Sequence, residues 1–122
     1  MDKIQFAVIG SKVSNAVLEY EQDFARRNAG HLDFGTCGFA VVLLGFGRKR
    51  KIKQEFLEAG FISENRTWES RGQKEYVVVL PRQTVNTQCM GFYEARAEAA
   101  VKVLREELEG TGVEVNIHRW VD

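Results

Sequence analysis

The chain has 122 residues, 44% hydrophobic and 28% charged, which suits one folded domain around one core and excludes a disordered chain. Seventeen basic residues offset seventeen acidic ones, so a generally basic nucleic-acid coat is excluded and any anion affinity must come from local clustering.

Lys3–Ile9 alternates polar and apolar residues and then turns apolar, which predicts a short strand ending at Gly10-Ser11. Ser11 or Ser14 is placed to cap a following helix by accepting a backbone N–H. Val13, Ala16, Val17, Tyr20 and Phe24 form its apolar stripe, and Asn28-Ala29-Gly30 its stop. Next, a glycine-bracketed apolar run, Phe39–Leu44, predicts a central buried strand from about Thr36 to Leu44. Gly45-Phe46-Gly47 turns the chain into a second helix over Arg48–Ala59, with Ile52, Phe56 and Ala59 inward and Gly60 as terminator. Arg66–Ser70 and Gln73–Leu80 read as a hairpin turning at Ser70-Arg71-Gly72-Gln73, with Pro81 closing it. After a polar loop in which Thr87 is a plausible cap, a long helix runs to about Glu109. Its inward arc is Tyr93, Ala97, Ala100, Val101, Leu104 and Leu108. Gly110-Thr111-Gly112 ends it, and Val113, Val115 and Ile117 alternate with Glu114, Asn116 and His118 in a half-exposed last strand.

From Thr36 on, the order is strand, helix, strand, strand, helix, strand. That is the order of an α+β, ferredoxin-like split βαβ unit, whose antiparallel sheet carries both helices on one face. The chain is then one domain, with residues 31–122 the core and residues 1–30 a strand-helix addition. The addition either extends the sheet edge or lays its helix on the face that such a core leaves open, where ligands commonly bind.

Four features carry candidate chemistry. Arg48, Lys49, Arg50, Lys51 and Lys53 crowd the start of the second helix, where the dipole disfavours each cation by about 0.3–1 kcal/mol at most. An anion would reverse that sign, using free N–H groups and guanidinium forks together. The plain alternative is a solvated charge run, and no Gly-Lys-Ser/Thr ending makes the loop a Walker A motif. Arg96 projects into the apolar sector of the third helix, so it either snorkels or meets a ligand or an acidic partner such as Glu107. Cys37 and His118 would make a thiol nucleophile and its base only if the first and last strands bring them together, against the commoner fate of cysteine as a small buried hydrophobe. Finally, Arg119 beside Trp120 offers a cation and an aromatic for stacking, or simply a terminal strand pinned by tryptophan.

Cys37, Cys89, His31 and His118 show no metal-ligand spacing, and no cofactor is expected. Two cysteines are too few for a disulfide scaffold in this length, so both are read as reduced thiols. With no signal-peptide pattern and no apolar run near the roughly 18 residues that span a bilayer, the expectation is a cytoplasmic protein without a membrane partner.

Leu32-Asp33-Phe34-Gly35-Thr36-Cys37-Gly38-Phe39-Ala40 resembles a segment of small proteins encoded by bacteriophages and prophages. The similarity extends to the glycines and basic residues opening the second helix, to Gln88, to Val103-Leu104-Arg105 and to Arg119. It departs in the first ten or so residues and in the density of the Arg48–Lys53 run. That group has no assigned reaction or ligand. What the resemblance implies is an accessory protein in a bacterial host, blocking a host or defence component or sequestering a nucleotide. Three classes therefore stand: a non-enzymatic binding protein of this kind, a nucleic-acid-binding module using Arg48–Lys53, and a thiol- or histidine-dependent enzyme. Oligomeric state is open, a homodimer included.

Overall fold

The computed structural model describes residues 5–27, 38–70, 72–84 and 90–121. One long helix, α1 (Phe6–Arg27), occupies the region where alternation predicts a strand and then a helix. The alternation in Lys3–Ile9 lasts barely two cycles. A helix through the same residues extends a stripe of Ile9, Val13, Val17, Glu21 and Phe24 at spacings of four, four, four and three, all buried. It also sets the Phe6 ring against Phe56 and Phe61, with centroids 4.8 and 5.4 Å away. Ser11 and Ser14 are consequently interior helical residues and cap nothing, and Tyr20 is 43% exposed while the neighbouring Glu21 is buried. The expected stop at Asn28-Ala29-Gly30 lies outside the described residues.

The remaining elements are β1 (Gly38–Gly45), α2 (Arg50–Glu58), β2 (Ile62–Ser70), β3 (Gln73–Val78), α3 (Met90–Glu107) and β4 (Glu114–Val121). The fold is α+β: a four-stranded antiparallel sheet in the order β2-β3-β1-β4, with three helices. Its centre is β1, paired with β4 along all eight residues from Gly38↔Val121 to Gly45↔Glu114. Gly60, at φ +79°, ends α2 as expected of a C-terminal glycine, although Ala59 is exposed rather than inward. The hairpin turn has Ser70 opposite Gln73, with Gly72 at φ +76° inside it.

All three helices lie on one side of the sheet. Ala40, Val42 and Leu44 of β1, Tyr76 and Val78 of β3, and Val115 of β4 share one core with Ile9, Val13 and Val17 of α1. Phe56 of α2 and Ala97, Ala100, Val101 and Leu104 of α3 complete it. Here α1 does neither of the two things expected of an N-terminal addition. It packs along α3 on the already covered side, leaving the opposite sheet face without a helix among the described residues. A further small cluster of Phe24 and Phe92, ring centroids 5.2 Å apart, closes the far end of the α1–α3 contact.

Candidate functional site

Pairing register determines which side chains share the open face. Phe39, Val41, Leu43 and Gly45 of β1 stand opposite Trp120, His118, Asn116 and Glu114 of β4. On the other flank, Leu43 and Gly45 stand opposite Val77 and Glu75 of β3, and Glu75 opposite Trp68 of β2. Directly opposed residues in an antiparallel pair point to the same side, so these form one surface.

Across it runs a row of rings. Trp68 lies 4.1 Å from His118, His118 5.5 Å from Trp120, and Trp120 5.7 Å from Phe39, at interplanar angles of 33–37°. Phe39 then meets Tyr93 of α3 at 5.2 Å, where β1 runs beyond the end of β3. β2 and β4 are opposite edges of the sheet, so the Trp68–His118 contact requires the sheet to curl towards this face, as twisted sheets do. Trp68, Trp120 and Phe39 are 46, 39 and 37% exposed, which makes this face the main concentration of solvent-facing aromatic surface among the described residues.

Trp68 reaches the open face because β2 is irregular. Ile62 pairs with Val78, but Thr67 pairs with Tyr76, so five steps on β2 match two on β3. The three extra residues are an odd number and invert the alternation. Ile62 faces the core, and strict alternation from it would have pointed Trp68 inward.

The polar members of this face include Glu75, Glu114, Asn116 and His118. Glu75 Oε2 accepts a hydrogen bond from Asn116 Nδ2 at 3.3 Å, passing over Gly45, which has no side chain to intervene. A Cβ placed at Gly45 would sit 3.6 Å from Glu114 Oε2 and 3.7 Å from Glu75 Cγ, so both acidic side chains border the same gap. The register places no lysine or arginine on this face, and His118 is its one basic side chain.

The basic residues expected to form a site are dispersed. α2 begins at Arg50, not Arg48, so of the five only Arg50, Lys51 and Lys53 lie within the helix. Lys49 is the N-cap, without a side-chain cap, and Arg48 precedes it in a turn closed by Lys49 N–H donating to the Phe46 carbonyl at 3.0 Å. Arg48, Lys49, Arg50 and Lys51 are all exposed. The Lys49 side chain is folded against Gly112. Lys53 is half-buried on the core side, its Nζ 5.7 Å from the centre of the Tyr76 ring. Phe46 is buried against Phe56 and Tyr76, so the loop is pinned by an aromatic side chain and is not an open glycine cradle.

Arg119 and Trp120 point to opposite faces. Arg119 lies on the helical side, with Nε 3.6 Å from Glu94 Oε2 and Nη2 3.8 Å from Glu98 Oε1, so it does not share a stacking site with Trp120. Alongside it, Arg105 donates from Nε and Nη2 to the Val115 carbonyl at 3.2 and 2.9 Å, which occupies part of the β4 backbone with a charged side chain.

Arg96 neither snorkels nor meets Glu107. It is buried against Glu21, with Arg96 Nε 3.1 Å from Glu21 Oε1 but not directed along a hydrogen bond, and Arg96 Nη2 donates to the Pro81 carbonyl. Glu21 in turn accepts from Thr84 N–H at 3.2 Å and Thr84 Oγ1 at 3.1 Å. Glu107 instead pairs with Lys12. Burial lowers the Arg96 guanidinium below its ordinary value, against the opposing pull of the Glu21 carboxylate. The arrangement is a strut joining α1, α3 and the segment after β3. Sequence reasoning missed Glu21 because a carboxylate on the buried stripe of a helix is rare unless a cation from elsewhere meets it.

Cys37, Cys89, His31, Thr87 and Arg71 lie outside the described residues. Among the described residues no group of three or more His, Cys, Asp or Glu is placed to hold a metal ion, and no helix is long and apolar enough to cross a membrane. The chain matches no family model, no curated protein and no solved structure.

Proposed function

We propose that this protein is a non-enzymatic binding module that engages a protein partner through the open face of its sheet. The reading is carried by the exposed row Trp68–His118–Trp120–Phe39. Aromatic residues are enriched and charges depleted at the centres of protein interfaces, where a few buried rings dominate affinity. A face without a helix among the described residues supports a finer view of the architecture, a ferredoxin-like split βαβ unit with one helix added to its covered side. An accessory protein that occupies the surface of a bacterial host or defence component fits this reading. The test is retention of bacterial lysate proteins by the immobilised chain. A specific retained protein should be lost with Trp68→Ala plus Trp120→Ala and kept with Arg48→Ala plus Arg50→Ala; retention that ignores the tryptophans would sink the proposal.

A second reading, single-stranded nucleic acid, draws on a different observation. The exposed cations Arg48–Lys51 follow the end of β1 that lies nearest Trp68 in the register, and among the described residues they form no ion pair. Bases would stack on the rings while phosphates met the cationic turn. It predicts oligonucleotide affinity that falls steeply with salt and a salt slope reduced in the Arg48→Ala, Arg50→Ala variant. The absence of binding at low salt removes it.

A further inference from the structure

We infer that the segment received by this face is cationic and specifically arginine-bearing, an assignment that rests on the open face being the binding surface. Its observation is a juxtaposition in the register: Trp68, Glu75, the side-chain-free Gly45 and Glu114 form one transverse line across all four strands. Directly opposed Cβ atoms on antiparallel strands are about 5 Å apart, so the Glu75 and Trp68 side chains leave the sheet side by side. Both carboxylates border the Gly45 gap, and among the described residues neither has an ion-pair partner. Two acids with no counter-ion beside a half-exposed indole repel phosphate and favour a cation.

Arginine matches this line better than lysine does. Its planar guanidinium can lie on an indole face while its N–H fork addresses a carboxylate in the same plane. The side of Trp68 away from His118 is where such a stack would form, with Glu75 and Glu114 neutralising its charge. Asn116, held by Glu75, keeps that carboxylate turned over the gap. A nucleotide or nucleic-acid phosphate would have to approach the same two acids, since the register places no lysine or arginine on this face and the exposed cations Arg48–Lys51 stand on the turn beyond the end of β1.

The chain's two tryptophans, Trp68 and Trp120, both belong to this face, so intrinsic tryptophan fluorescence of the full chain reports on it directly. The probes are a short peptide carrying two arginines, the same peptide with citrulline in their place, and single-stranded oligothymidylate. The expected result is a saturable change with the arginine peptide, about tenfold weaker with citrulline, and about tenfold weaker again for Glu75→Gln plus Glu114→Gln. Circular dichroism and an unchanged unfolding midpoint show that this surface variant is folded. Equal binding of the two peptides, wild-type affinity in the double variant, or saturable binding of oligothymidylate alone would overturn the inference. So would a fluorescence change with protein concentration that disappears in Arg48→Ala plus Arg50→Ala, because the face would then hold the cationic turn of a second copy. The two readings separate cleanly: loss of a retained partner in the tryptophan variant but not in the glutamine variant keeps the binding face and discards arginine. A partner indifferent to the tryptophans discards both.

Discussion

Glu21 shows how one buried charge can tie distant parts of this chain together. Its carboxylate is fully buried and meets Arg96 from α3 and Thr84 from the segment after β3. Removing one partner of such a pair strands the other, at a cost of about 3–5 kcal/mol. Glu21→Ala should therefore lower unfolding free energy by about that amount in urea titration, whereas Glu21→Leu with Arg96→Met should recover most of the loss. Two glycines give a sharper contrast. A Cβ at Gly38 would lie 2.5 Å from the Trp120 carbonyl oxygen, which is backbone and cannot swing away, so Gly38→Ala should destabilise by about 1–3 kcal/mol. At Gly45 the nearest atoms would be at 3.6 Å, ordinary contact, and Gly45→Ala should leave the unfolding midpoint close to wild type.

At the scale of elements, β2 decides more than any other. Its three unmatched residues between Ile62 and Thr67 turn Trp68 from the core to the open face, and without that turn His118 would lose its nearest ring. The start of α2 illustrates the opposite case, an element whose sequence promised more than its geometry delivers. Arg50 and Lys51 are the exposed cations at its start, without an acidic neighbour in the first turn, so they oppose the dipole weakly. Arg50→Glu should raise stability by about 0.3–1 kcal/mol at low salt, an effect that thermal or urea unfolding in high salt should erase. A decrease instead would mean that this turn contributes through a contact that charge reversal breaks.

Over the whole molecule, core and binding face are separable. Phe56 is fully buried among Phe6, Phe46 and Phe61 on the helical side, so Phe56→Ala should cost about 3–5 kcal/mol. Trp68→Ala with Trp120→Ala removes half-exposed rings from the other side, and should abolish partner retention with a much smaller loss of unfolding free energy than Phe56→Ala. Equal destabilisation by both would mean that the aromatic row is structural.

Much of the fold was legible in local periodicity. The apolar run of β1, the 3.6-residue stripe of α3, the terminating glycines and the alternation of β4 each fall where their spacing requires, because burial on one side of an element writes its period into the chain. Phe39 was read as part of a buried run, yet it is 37% exposed, and it meets Trp120 and His118 only through the pairing of β1 with β4. The N-terminal region was misread because two cycles of alternation competed with a longer helical stripe whose partners, Phe56 and Phe61, come from elsewhere in the chain. Trp68 escaped for a related reason: its side depends on a mismatch between two strands, which neither strand carries alone. Sequence by itself determined the elements from β1 onward and their order. Only the tertiary structure decided which sheet face stays open and which rings it shows, because side is a property of pairing, and pairing joins residues that local spacing never compares.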